Sequence, residues 1–417
     1  MKPANIWALC GFILVCFATA PAMPAVLARW VQMAPGENAE VRAVVSAEGC
    51  PSVLVDGGNR PMRVRALPDH SFPLICAMTL PRGAVRVSLA GEALPVPKPS
   101  PGRFVVLGDT GCRIKGTTVQ DCNDPALWPF AGIARHAAAQ KPDLVVHVGD
   151  YLYREAPCPL AHAEACGGSP WGDNWAAWNA DFFGPAAPLL AAAPFVFVRG
   201  NHEQCDRAGS GWLRLLGPLP VDPSQPCSDH VAPYAVAVAG ATLAVMDDAS
   251  ASDTSAPGES VSLYRADLEA VAHLAPAPVF LVMHRPTWGV VRFPFGMVLG
   301  GNRTLMAAQD QRGIPANVAL MISGHIHTFE AINYEKGAPP QILAGEGGDN
   351  LDEAPRDLSG QSVGTVKISS GLSLPGFGFV RFARNPASSW TVDVLSAGGE
   401  IERSCAYAAS RINCGAP

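Results

Sequence analysis

The chain has 417 residues, of which 48 % are hydrophobic and 16 % charged, with a formal net charge of −6. Roughly 100–200 residues per domain gives two domains, or one large domain with an appendage. The apolar share excludes a disordered chain, and the scattered Lys and Arg exclude the basic stripe that sequence-specific nucleic-acid binding needs.

In chain order, Lys2 precedes an apolar run from Ile6 to Ala18, followed by A-x-A patterns at Ala18–Ala20 and Ala20–Ala22. The run is shorter than the ~20 residues a spanning helix needs, so residues 1–25 read as an export signal, with an uncleaved anchor as the alternative. No later run is long enough to span, so no membrane contact is expected after cleavage. Residues 26–100 read as a small β-rich domain: VRAVVSA, SVLVDG, MRVRAL and VRVSLAG are short strand-like runs broken by Gly, Pro and Asn. LPVPKPSPG (94–102) reads as a stiff linker.

From residue 101 to 417 apolar strands alternate with helical stretches, the pattern of α/β layers. FVVLGD, LVVHVGD, FVFVRGNHE, AVAVAG, TLAVMDD, VFLVMHR and VALMISGHIH read as strands. Helices are expected over 125–140 (Asp124 as N-cap, Pro125 in the first turn), near 175–192, near 263–273 and near 303–312. Trp171, Trp175 and Trp178 are spaced for a packed helical face.

Cys10 and Cys16 fall in the signal. The other ten cysteines form neighbouring couples, read as Cys50–Cys76, Cys112–Cys122, Cys158–Cys166, Cys205–Cys227 and Cys405–Cys414. Such pairs suit an oxidising compartment, a periplasm or the exterior; spacing alone does not fix connectivity.

Metal-type residues cluster just after the apolar strands, in GDTG (108–111), GDYLY (149–153), GNHE (200–203), MHRP (283–286) and GHIHTFE (324–330). Ligands bind at carboxyl ends of strands in α/β folds. Carboxylates, imidazoles and an amide oxygen suit zinc, iron or manganese. Each motif alone is weak, since Gly-Asp is a common turn; their order and strand context carry the reading. There is no G-x-S-x-G elbow, Walker A or Rossmann pattern.

These motifs, in this order, resemble the calcineurin-like metallophosphoesterase superfamily, and within it most the purple acid phosphatases. Asp109-Thr110-Gly111 lacks the His of the usual Asp-x-His, while Tyr153 stands three residues after Asp150, as the purple acid phosphatase pattern requires. Phe329 replaces that family's Tyr in the last motif. The resemblance spans 108–330 and implies a β-sandwich flanked by helices. It implies two ions. An Fe(III) would be held by Asp109, Asp150, Tyr153 and His327, and a divalent Fe, Zn or Mn by Asp150, Asn201, His284 and His325, with Asp150 bridging. It also implies phosphate-monoester hydrolysis by a metal-held hydroxide, with His202 as acid or phosphate contact beside Asn201.

No His lies between His284 and His325, where family members often carry more, so substrate choice is open. Arg285 is either a phosphate clamp or a structural cation. Tyr151 competes with Tyr153 as the phenol, and His147 reads as a core or supporting imidazole. Glu346, Asp349 and Asp352 read as turn residues, and Asp247–Asp248 match no metal motif. His70, His136, His162, His230 and His273 read as surface or loop residues. The alternatives to a monoesterase are a phosphodiesterase or nucleotide pyrophosphohydrolase on the same metals, and a non-catalytic scaffold; the intact ligand set argues against the last.

Overall fold

Runs of Val, Ile, Leu and Phe that are apolar on both faces need cover on both sides, and they find it in a sandwich of two large sheets with helices outside. The structure is a computed structural model that describes residues 25–415 except 223, 277, 293–297, 310–312 and 387. Residues 1–24 of the segment read as an export signal, with Cys10 and Cys16, lie outside the described residues, as does the end of the expected 303–312 helix.

In the first sheet Arg103–Leu107, Leu144–His147, Phe195–Phe197 and Ala25–Ala34 lie side by side in parallel. Antiparallel strands Gly378–Arg384, Trp390–Ser396, Ile401–Ala408 and Arg411–Cys414 extend one edge. In the second, Ala241–Val245, Val279–Val282, Val318–Ser323 and Gln341–Ala344 are parallel. Phe104, Val106, Val146 and Val196 meet Val245, Phe280, Val282 and Ile322 in one buried cluster between the sheets. The alternate residues Val105, Leu107 and Val145 face outward to helices Phe130–Ala139 and Gly184–Ala192. On the other side Leu281, Met283 and Met321 pack on Gly258–Leu274 and Arg303–Gln309. The result is the helix-flanked β-sandwich of a mixed α/β protein.

The N-terminal strands are joined to this sheet. Gln32 pairs with Phe195, and Asn38–Ser46, Leu74–Thr79 and Arg63–Ala66 continue the order. A separate four-stranded sheet from residues 52–61 and 87–94 packs on them around Val41, Val53, Leu74 and Leu89. Five disulfides join Cys50–Cys76, Cys112–Cys122, Cys158–Cys166, Cys205–Cys227 and Cys405–Cys414, the couples read from the sequence. Among the described residues no helix is long and apolar enough to cross a membrane.

Two local expectations are corrected. The first helix starts at Phe130, and Asp124 instead caps the preceding turn, accepting from the Ala126 N–H at 2.8 Å. Pro129 stands at its N-cap, and a proline inside a longer helix would have broken the ladder. Trp178 is buried as expected, but Trp171 lies before the helix and is 49 % exposed.

Candidate metal centre

The parallel strands end together, so the five motifs meet at one rim of the sandwich. The turn off three strands is made by the motif residues themselves: Asp109, Asp150 and His325 all have left-handed backbones, with φ of 57°, 58° and 69°. Such backbones are uncommon outside glycine and gather at functional sites. Two neighbouring glycines supply room instead of a turn. A Cβ at Gly200 would lie 2.1 Å from Asp150 Oδ1, and one at Gly324 would lie 2.4 Å from Asp109 Oδ2.

The side chains converge. Tyr153 Oη donates to Asp150 Oδ2 at 2.8 Å and lies 3.1 Å from His327 Nε2 and 3.3 Å from Asp109 Oδ1. His327 Nε2 stands 3.4 Å from Asp109 Oδ1. His284 Nε2 is 3.1 Å from Asn201 Oδ1 and 3.3 Å from Asp150 Oδ1. Candidate ligand atoms of Asp150, His284 and His325 all lie within 4.8 Å of one another. Asp150 thus touches both groups, Tyr153 on one side and His284 on the other. Tyr151 points away, donating to the Val198 carbonyl at 2.8 Å.

The electrostatics suit cations. Burial disfavours charge on His284, yet Asp150 overrides it and holds that imidazole up at about 9. His327 is likewise held at about 10 against burial by Asp109 and Asp349. Burial and the carboxylates of Asp150 and Asp109 push the Tyr153 phenol well up. Carboxylates that hold protons on buried imidazoles exert the pull that a bound ion satisfies, and ion binding releases those protons. A donor set of carboxylates, imidazoles, phenol and amide fits a pair of hard or borderline ions.

A supporting layer was not legible as such in the sequence. Glu203 is fully buried and accepts from the N–H groups of Asp150, Tyr151, Leu152 and Gly200, which fixes the Asp150 turn. Asp248 accepts from the backbone of His284 and Arg285. Asp349 pairs with Arg113, which lies over the Tyr153 ring, and Asp352 accepts from the His327 N–H at 3.0 Å. Asp248, Asp349 and Asp352, read as turn or unassigned positions, thus brace the motifs. His147 is buried and bonds Thr110 Oγ1 at 3.0 Å, as a supporting imidazole would. Arg285 binds Asp253, the Ala249 carbonyl and His325 Nε2, so its Nε and Nη1 are taken within the protein.

His202 stacks on Tyr153 with ring centroids 3.8 Å apart. Its Nδ1 lies 2.9 Å from Glu155 Oε1, and its Nε2 faces Asp150 Oδ2 at 3.8 Å. Arg207 in turn holds Glu155 through Nε at 2.8 Å. Sequence reading missed Glu155 and Asp253 because neither lies in a motif; Glu155 follows Tyr153 by only two residues, which was the available hint.

A helix-flanked β-sandwich with these side chains at its strand ends defines a metal-dependent phosphoester hydrolase of the metallophosphoesterase class. The chain belongs to the calcineurin-like phosphoesterase family, whose family model matches residues 102–329. No curated protein matches it. Among solved structures it is similar to a purple acid phosphatase from yellow lupin (Lupinus luteus) seeds, with TM-score 0.56 and 14 % identity, covering 91 % of this chain and 74 % of that one. It is equally similar to PhoD, with TM-score 0.56 and 11 % identity, over 95 % of this chain and 93 % of that one. At these identities the likeness speaks for the fold.

Proposed function

We propose that this protein is an exported phosphatase that hydrolyses small phosphate monoesters at a two-metal centre. The observation that carries the reading is the convergence of Asp109, Asp150, Tyr153, Asn201, His284, His325 and His327 on one rim, with Asp150 between the two groups. Tyr153 and His327 with Asp109 would hold the first ion, Fe(III), and Asn201, His284 and His325 the second, a divalent Fe, Zn or Mn. His325 Nε2 is turned to Asp253, which leaves Nδ1 for the ion. Bound ions in such a site neutralise charge on the phosphoryl oxygens and lower the pKa of water. His202, fixed by Glu155, is the group placed to give a proton to the leaving alkoxide. Burial lowers its pKa against Asp150 and Glu155, so its donating form grows as pH falls. The disulfides favour a periplasmic or secreted setting.

The test is metal analysis, a visible spectrum and turnover of protein purified from an oxidising compartment. Two metals per chain, iron among them, with a phenolate-to-iron band that disappears in Tyr153→Phe, is the expected result. Colourless protein with two metals that prefers bis(p-nitrophenyl) phosphate to p-nitrophenyl phosphate would shift the reading to a diesterase.

A further inference from the structure

A cavity of about 720 Å³ opens beside His325, inside the roughly 300–1,000 Å³ range of small-molecule sites. Pro286, Val291, Met306 and Ile326 give it apolar walls, and Arg303 stands among the residues that line it. The wall is tightly built: a Cβ at Gly300 would lie 1.6 Å from the Gly289 carbonyl oxygen, and one at Gly289 would lie 2.5 Å from Ile326 Cδ1. Its acids are engaged. Asp253 binds Arg285, His325 and Asn302, and Asp352 accepts from the His327 N–H. Arg303 is exposed and has no ion pair or hydrogen bond among the described residues.

Its position relative to the centre is fixed. The preceding residue, Asn302, is fully buried; its Nδ2 donates to Asp253 Oδ1 at 2.8 Å, and its Oδ1 accepts from the Leu305 N–H at 2.9 Å. The other oxygen of Asp253 lies 3.0 Å from His325 Nε2. A short chain of bonds therefore ties the backbone that carries Arg303 to a candidate ligand.

We infer that this cavity takes the leaving group of the substrate, and that Arg303 selects esters whose leaving group is an apolar body bearing a second anionic group. The inference rests on the proposed phosphatase reading. In the reaction, water oxygen bonds to phosphorus, the bond from phosphorus to the leaving oxygen breaks, and that oxygen receives a proton; the second anion is unchanged throughout.

The experiment compares phenyl phosphate with 4-carboxyphenyl phosphate on the full-length metal-loaded protein, as wild type, Arg303→Gln and Arg303→Lys. A lost charge-assisted hydrogen bond predicts a roughly ten- to hundredfold fall in kcat/KM for the carboxylate ester in Arg303→Gln, carried by KM. Phenyl phosphate should change less than about twofold, and Arg303→Lys should recover most of the loss because its charge persists. Equal effects on both esters, or none on either, overturn the inference. Titration of 4-hydroxybenzoate against phenol on the same proteins reads the anion contact without turnover. If neither ester is hydrolysed, the phosphatase reading fails and the leaving-group role with it; hydrolysis of both esters with 4-hydroxybenzoate binding unchanged in Arg303→Gln overturns the inference alone.

Discussion

His202 and Asp150 meet at one edge of the centre but carry different loads. Asp150 touches Tyr153 and His284 at once, so Asp150→Asn removes half the charge that draws ions to both sides. Loss of bound metal together with turnover is expected, by metal analysis of the purified variant; a variant that keeps both metals and full rate would refute the bridging role. The His202 imidazole makes no hydrogen bond to a proposed ligand, its Nε2 standing 3.8 Å from Asp150 Oδ2, and its backbone N–H, which donates to Asp150 Oδ1 at 2.9 Å, is kept on substitution. His202→Ala should keep the metals and slow turnover by ~10²–10⁴, the usual size of an acid–base contribution. Metal loss there would make His202 a ligand. The strand-end motif residues were legible because each follows an apolar run, and Asp109, Asp150, Asn201 and His325 also sit beside a glycine. Glu155, Asp253 and Asp248 were not, because a carboxylate's role as a brace depends on which loop the fold brings to it. Asp253 reaches His325 across 72 positions of sequence.

Elements were legible where an apolar run was long and blurred where caps competed. Six strands of the two parallel sets were read from their apolar runs, Ala25–Ala34 and Gln341–Ala344 were not, and two of the four helix starts slipped by five residues. The helix Gly258–Leu274 begins five residues earlier than read, since its first turn is polar and Pro257 stands at its N-cap without a side-chain hydrogen bond. That helix is also tied down by a contact the sequence hid: His230, read as a surface or loop residue, lies in a loop 2.8 Å from Asp267. Asp267 raises the His230 pKa, with burial opposing and Asp247 adding to the rise. A raised imidazole contributes stability that is fully present below its unfolded value of about 6.5 and is lost as pH rises through its folded value. The group is about half exposed, so the contribution is screened to well under ~1 kcal/mol. Urea midpoints of Asp267→Asn should therefore fall short of wild type at pH 5.5 and converge with it at pH 9. A constant difference across that range would remove the ion pair as its cause.

On the scale of the molecule, the N-terminal strands reach the centre through one helix end. The helix Gly209–Leu215 follows the GNHE turn, and Ala208, just before it, donates its N–H to the His202 carbonyl at 3.1 Å. Its last carbonyls find no partners within the helix. Arg42 donates to those of Leu215 and Gly217, Gln32 to Leu216, and Arg65 to Leu213, Arg214, Gly217 and Leu219. Arg42 and Gln32 are buried, so water cannot replace them. The β character of residues 26–100 was legible, but this clamp was not, because it depends on two arginines and a glutamine projecting from strands onto a helix more than 140 residues away. Arg42→Met keeps the unbranched apolar stem of the side chain and removes its donors. It should leave the buried Leu215 carbonyl unpaired and cost about 1–3 kcal/mol, while Gly217 keeps its hydrogen bond from Arg65. The urea midpoint should fall, and turnover should fall with it at temperatures well below unfolding, since the helix is loosened at the end opposite to the one that Ala208 ties to His202. Full stability with reduced turnover would place Arg42 in a role other than the clamp. Reduced stability with unchanged turnover would mean that the GNHE turn is held by Glu203 and Asp150 alone.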